Sequence, residues 1–267
     1  MNLYQKVKSK KPLVYSITNY VTVNDVANAI LSVGAAPLMA DDKAEVIQIA
    51  SFSSSLVINI GTLNKRVIKS SIIAGKKANE VNIPVILDPV GVGASSLRND
   101  AVKKLLKKVK FAVIKGNLTE IKALYLQKQT TSGVDVSSSD KLTTDNLEDT
   151  VSLLKKIAIE LNTIIAATGE IDIITDGIKT NLCYNGNEKM SLITGTGCMS
   201  AGIIASFCSV DKNYLDATTK AISLMGQAGD IALEKYRGLG SFRVDIMDAL
   251  SNITNEEIKD NANIKTL

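Results

Sequence analysis

Short apolar runs alternate along most of this chain with stretches whose apolar residues return every three or four positions. The runs at 12–18, 35–39, 56–60, 84–88, 111–115 and 163–168 read as buried strands. Between them lie helical patterns. Val23, Val26, Ala27, Ile30 and Leu31 share one face of a helix that Gly34 closes as a C-cap would. Further helices are predicted at 41–52, opening at Asp41 and Asp42, and at 65–81, 99–109, 118–126 and 145–161. A Ser/Thr-rich loop is predicted at 127–140. Strict strand–helix alternation implies a mostly parallel sheet covered by helices on both faces.

After residue 168 the pattern changes. Segments 171–175 and 180–184 flank Asp176-Gly177, and Asn185-Gly186 follows; two such turn dipeptides indicate antiparallel hairpins. From Cys198 to Leu250 the chain is helical, with a break at 237–240. The tail after Ser251 is polar and partly helical at best. No repeat or linker divides the chain. Residues 1–267 therefore read as one domain, with a core at about 12–250 and a polar tail at 251–267.

Composition narrows the chemistry. The chain has 267 residues, 45% of them hydrophobic, enough for a sizeable core. It has no histidine, which removes Ser-His-Asp and Cys-His catalysis, His-based zinc sites and any His general base. The net charge of +4 comes from lysines spread through helices. Lys103, Lys104, Lys107 and Lys108 fall on the polar side of theirs, a solvated face rather than a nucleic-acid stripe. Cys183, Cys198 and Cys208 show no CxxC spacing, which fits a reducing compartment without disulfides or structural zinc. No apolar run reaches membrane-spanning length, and the basic first residues lead into no signal-peptide core. A cytoplasmic protein with no membrane or nucleic-acid partner is expected.

Candidate chemistry gathers where the strands end, since parallel sheets bind ligands outside their carboxyl ends. Those ends carry Thr18-Asn19, Met39-Ala40-Asp41, Asn59-Ile60-Gly61-Thr62, Asp88-Pro89, Lys115-Gly116-Asn117 and Thr168-Gly169-Glu170. A further loop, Gly195-Thr196-Gly197-Cys198, opens into an apolar helix. Its glycines allow close approach of a phosphate, and the helix dipole favours an anion there and a thiolate at Cys198. A tight turn with a packed cysteine is the plainer alternative. Asp88 and Glu120 are hard oxygen ligands suited to Mg²⁺, or else a cap and a capping-box residue. Lys115 is a phosphate partner or a snorkelling surface lysine. Thr168 contacts a nucleotide or simply ends a strand. No Walker A loop and no GxGxxG after the first strand are present, which excludes a P-loop NTPase and a Rossmann dehydrogenase.

Seven motifs in order carry a closer likeness: SITNYVTVNDVAN at 16–28, GAAPLMAD at 34–41, LVINIGTL at 56–63, ILDPVGVGA at 86–94, IKGNLTEI at 114–121, TGEID at 168–172 and TGTGCM at 194–199. Together they resemble the hydroxyethylthiazole kinase family, over about residues 13–250. The resemblance implies a ribokinase-like three-layer α/β fold, with a mostly parallel central sheet and helices on both faces. It implies ATP-dependent phosphorylation of the hydroxyl of 4-methyl-5-(2-hydroxyethyl)thiazole, a salvage step toward thiamine. By the same resemblance, Asn19, Val21, Met39 and Gly195 bind the thiazole; Lys115, Thr168 and Gly197 contact ATP; Asp88 and Glu120 hold Mg²⁺; and Cys198 orients or weakly deprotonates the hydroxyl. A homotrimer with its pockets at subunit interfaces is likewise implied. Two positions depart from the family pattern. Tyr15-Ser16 stands where His-Cys or His-Ser is common, and Lys115 where arginine is usual, which keeps the charge but loses bidentate geometry. Alternatives remain: a same-fold kinase of a pyrimidine or pyridoxal-like alcohol, a repair dehydratase of that superfamily, and a non-catalytic thiazole or nucleotide sensor.

Overall fold

The computed structural model describes residues 2–129 and 147–267. The six predicted strands form as β1 (Leu13–Ile17), β2 (Ala36–Met39), β3 (Ser55–Asn59), β4 (Val85–Asp88), β5 (Val113–Asn117) and β6 (Ile164–Thr168). They lie in the order β2-β1-β3-β4-β5-β6, all parallel. Side chains along each strand point alternately to two cores, as the pleat requires. Val14, Val57, Ile86, Val113 and Ala166 enter one. Tyr15, Leu56, Leu87, Ile114 and Ile165 enter the other.

The first core is covered by α1 (Leu3–Lys10), α2 (Val23–Ser32), α8 (Thr196–Cys208), α9 (Tyr214–Glu234) and α10 (Leu239–Asn252). The second is covered by α3 (Val46–Phe52), α4 (Lys65–Glu80), α5 (Ser96–Lys108), α6 (Leu118–Gln129) and α7 (Leu147–Leu161). The expected three-layer architecture is what the chain adopts. Within the first layer α8 is buried from Cys198 to Cys208. Its apolar residues run all round, as befits a helix packed on every side.

Several boundaries differ from the sequence pattern, each for a local reason. The helix expected from Asp41 begins at Val46, because the Asp42 carboxylate accepts from the Ala44 N–H and holds a turn while Arg66 pairs with Asp41. The expected antiparallel turn-back forms: β7 (Asp172–Thr175) pairs antiparallel with β6 and with β8 (Thr180–Cys183). The Asp176 side chain accepts from the Ile178 and Lys179 N–H groups in its turn. A second hairpin at Asn185-Gly186 does not. Asn185 instead donates to the Asn261 carbonyl and accepts from the Asn263 N–H, which seats the tail beside β8 as β9 (Ile264–Thr266). The tail also carries α11 (Asn255–Asp260), started by a Thr254–Glu257 capping box. Outside the expected core at 12–250, α1 buries Leu3, Tyr4 and Val7. The loop expected at 127–140 falls, beyond Gln129, outside the described residues, as does the predicted helix start at Asp145.

Candidate active site

The strand order reverses between β1 and β3, and that switch point is where a parallel sheet opens a crevice at its carboxyl end. Two asparagines meet across it. Asn19, just past β1, donates through Nδ2 to Asn59 Oδ1 at 3.1 Å and to Cys198 Sγ at 3.3 Å. Asn59, the last residue of β3, donates through Nδ2 to Asp88 Oδ2 at 2.6 Å and to Cys198 Sγ at 3.2 Å. Thr22 completes the outer side, with its N–H and its hydroxyl both donating to Asn19 Oδ1. The Gly61 N–H donates to Asn59 Oδ1. Register explains part of this: Asn59 and Asp88 are direct partners across β3 and β4.

The loop before α8 closes the ring from above. Gly195 is its N-cap, at φ +97°, where an added Cβ would also stand 2.7 Å from Thr22 Cγ2. Only glycine meets both conditions. A Cβ on Gly197 would stand 2.8 Å from Lys115 Nζ, so the small residue there lets the ammonium approach. Lys115 Nζ donates to the Gly197 carbonyl at 3.0 Å and lies 4.0 Å from Asp88 Oδ1. At 4% exposure Lys115 is no snorkelling surface lysine. The first N–H groups of α8 have no partner within the helix, which leaves donors at its open end.

Charge in this ring is set by burial. Desolvation pushes the Asp88 carboxyl up, to about 6; Glu120 adds to the rise, while Lys115 and the Asn59 amide oppose it. The Cys198 thiol is pushed up too, first by burial and then by the Asp88 charge, against Thr22, Lys115 and Asn59. The thiolate expected from the helix dipole is therefore outweighed. Cys198 is a neutral thiol whose sulfur accepts two amide N–H groups.

Glu120 stands beside this ring in the role of a cap. Its two oxygens accept from the Gly91 and Asn117 N–H groups, and the Asn117 side chain accepts from the Glu120 N–H in return. Each carboxylate oxygen keeps a lone pair. Among the described residues no three His, Cys, Asp or Glu side chains gather as a self-sufficient metal cage. One or two carboxylates are instead the usual provision for Mg²⁺, which keeps waters and substrate phosphates as its other ligands. The donors present fit that ion.

The cleft itself has a volume of about 660 Å³ and is lined by Thr168, Gly169, Asp172, Asn187, Met190, Thr196, Gly197, Ile222, Met225 and Gly226, with the Thr196 hydroxyl donating to the Met190 carbonyl at 3.2 Å. The Thr168 hydroxyl donates to the Gly116 carbonyl at 3.3 Å, and the Asp172 carboxylate accepts from the Gly169 N–H at 3.0 Å. Burial raises Asp172 to about 7, opposed by that N–H and by Lys115.

Asn19, Gly195, Gly197, Cys198, Asp88 and Lys115 thus come together in one ring, with Glu120 and Thr168 at its border. Val21 does not join them. It is 61% exposed and lies in a surface groove of about 380 Å³ with Asp25, Leu192, Ile193, Leu239 and Arg243. Met39, paired with Ser16 at the end of β2, is half-buried against the first core. Tyr15 points the other way, into the second core, and its hydroxyl donates to the Ala40 carbonyl. Sequence reasoning gave no role to Asn59, Thr22 or Arg98. The Arg98 guanidinium donates to the Ile60, Gly61 and Val90 carbonyls and so ties down the loops after β3 and β4. Asn59 was visible as a polar residue ending an apolar strand; nothing in the sequence signalled Arg98.

A parallel sheet between two helical layers, with this ring at its switch point, defines a ribokinase-like protein. A ribokinase-like superfamily protein of Enterococcus faecalis shares the fold, with a TM-score of 0.67 at 16% identity over 96% of this chain and 89% of that one. The model of the hydroxyethylthiazole kinase family matches residues 4–256, and the chain belongs to that family. It is 45% identical to a hydroxyethylthiazole kinase of Ruminiclostridium cellulolyticum over 99% of this chain and 96% of the relative. The structure of a hydroxyethylthiazole kinase from Pyrococcus horikoshii superposes with a TM-score of 0.90 at 35% identity, covering 99% and 97% of the two chains.

Proposed function

We propose that the chain transfers the γ-phosphoryl group of ATP to the primary hydroxyl of 4-methyl-5-(2-hydroxyethyl)thiazole, a salvage step toward thiamine. The observation that carries this reading is the Asn19–Asn59–Asp88–Cys198 ring, which joins uncharged amides and a thiol to the Asp88–Lys115 pair next to Gly197, a residue of the cleft lining. Phosphoryl transfer asks mainly for positioning and charge stabilisation. Asn19, Met39 and the Gly195 backbone hold the thiazole, while Val21, in its own surface groove, is left to the subunit interface. Cys198, fixed by its two amide donors, orients the hydroxyl through its own S–H. With its thiol neutral, its office is orientation more than proton removal. The free N–H groups opening α8 face the transferred group, while Lys115, Thr168 and Gly197 hold the ATP phosphates. Asp88 and Glu120 hold Mg²⁺, which when bound offsets phosphate charge.

The exposed apolar residues Val21, Leu192, Leu239 and Val244 support the expected homotrimer, in which a second copy covers the groove beside Val21. No helix among the described residues is long and apolar enough to cross a membrane, and the three thiols are free, which supports a place in the cytoplasm. Two measurements test the reading. ADP release with Mg²⁺-ATP is expected on hydroxyethylthiazole and at most weakly on hydroxymethylpyrimidine; the reverse preference would overturn the acceptor assignment. Light scattering on the eluted protein is expected to give three times the chain mass; a monomer that turns over would remove the interface from the account.

A further inference from the structure

Gly226 and Gly229 lie in the interior of α9, where glycine costs a helix stability relative to alanine. They share one face of that helix, and both are filled from outside by the segment that leads to the Gly195–Cys198 loop. A Cβ on Gly226 would come within 2.6 Å of the Asn185 carbonyl group. A Cβ on Gly229 would overlap Met190 Sδ and stand 3.0 Å from the Cγ and Cε on either side of it. The Met190 side chain is therefore a plug in a notch of the helix. Two further contacts hold the same segment. The Gly186 N–H donates to Asp230 Oδ2 at 2.9 Å, and the Lys189 ammonium lies 3.9 Å from the centre of the Tyr236 ring, just past the end of α9.

The 3-10 helix Glu188–Leu192 has no fully buried residue, and Met190 is the side chain through which it packs on the first core. The Met190 carbonyl accepts from the Ile193 N–H at 3.2 Å and from the Thr196 hydroxyl at 3.2 Å. Thr196 is the first residue of α8, set between Gly195 and Gly197. An N-cap glycine offers no side-chain oxygen to the opening of a helix, and Gly195 makes no such bond. The Thr196–Met190 bond is thus a side-chain tie between the loop that opens α8 and the face of α9.

We propose that Met190 is a positioning residue for phosphoryl transfer: seated in the Gly229 notch, it holds Thr196 through its carbonyl and so sets where the Gly195–Cys198 loop stands. The proposal rests on transfer taking place at that loop. Met190 needs no contact with a reacting atom for this. A displacement of about 1 Å in a reacting geometry costs about 10²-fold in rate even when its cause is remote. The helix α9 thereby governs the active site without contributing a reacting group to it.

Gly229→Ala drives Met190 from its notch, and kcat for ADP release with the thiazole alcohol is expected to fall about 10- to 100-fold. The loop is also followed without any substrate, by the rate at which iodoacetamide alkylates Cys198, read by peptide mass mapping. That rate is expected to rise about fivefold or more in Gly229→Ala. Cys183 in β8 and Cys208 at the far end of α8 are expected to keep theirs, whereas a general loosening of the fold would quicken all three. Both effects run through Thr196. In a Thr196→Val background, which lacks the hydroxyl, Gly229→Ala is expected to change either rate by less than about twofold, and Thr196→Ser is expected to behave as the wild type. If Gly229→Ala does not fold, Met190→Ala, which empties the notch without a clash, takes its place in the same cycle. Unchanged kcat or unchanged Cys198 alkylation in the folded variant overturns the proposal, as does the full effect of Gly229→Ala persisting in Thr196→Val. A wild type that does not turn over the thiazole, with Cys198 alkylation responding as described, would instead overturn the acceptor reading and leave the seating of the loop by Met190 standing.

Discussion

Two borders of the molecule, one around Cys198 and one around Asn187, treat buried amides on opposite plans. Around Cys198 the amides of Asn19 and Asn59, the thiol and the Asp88 carboxylate are bonded to one another, and the Lys115 ammonium, bonded to the Gly197 carbonyl, stands 4.0 Å from Asp88. At Asn187 the amide is buried and has no partner among the described residues. The first plan fixes reacting groups in advance, which is what transition-state stabilisation requires. The second leaves a buried amide unsatisfied, at a cost to stability.

The division can be broken most severely at the first border. Cys198→Ala removes the sulfur that both amides hold, and the turnover rate is expected to fall by about 10²-fold or more, the cost of a misplaced acceptor hydroxyl. Steady-state kinetics with the thiazole alcohol checks this; an unchanged kcat would take Cys198 out of the chemistry. Asn59→Leu keeps the volume but strips partners from Asp88, Cys198 and Asn19. Its kcat is expected to fall about 10- to 100-fold, the effect of losing a hydrogen bond to a charged group together with its neighbours. An effect on KM alone would show that Asn59 only shapes the pocket.

The smallest change lies at Asp172, which lines the cleft beside Gly169. Burial raises its carboxyl to about 7 from a usual value near about 4. The folded chain therefore holds the proton more tightly than the unfolded one. That stabilising contribution is complete below about pH 4 and is lost as pH rises through about 7. Asp172→Asn is expected to flatten the decline in unfolding temperature between these limits. The gain near pH 8 is on the order of 1–2 kcal/mol after allowance for partial exposure. Parallel melting curves for the wild type and Asp172→Asn would contradict it.

Much of this architecture is written in simple periodicities. Strands such as Leu56–Ile60 and helices such as the one opening at Lys65 announce themselves because burial on both sides of a sheet demands continuous apolar runs. The polar strand ends mark the rim for the same reason: Asp88 and Lys115 interrupt runs that have no other use for charge. Partnership is a different matter. The Asn19–Asn59 bond exists only because β1 lies next to β3, and strand order is not contained in local pattern. Glu120 caps α6 and borders Asp88 at once, a proximity that local pattern does not carry. Asn187 left no trace, being one polar residue in a polar segment; its distinction is a bond not made. The strand Ile264–Thr266 was equally hidden, because three exposed residues in a polar tail carry no alternation.

The most direct test of the whole account is to follow the γ-phosphate of ATP by phosphorus NMR in the presence of Mg²⁺ and hydroxyethylthiazole. The account predicts a new phosphate-ester signal that grows in step with ADP, and that is lost in Cys198→Ala on the same timescale. ADP accumulating with free phosphate and no ester, or no reaction at all, would contradict it.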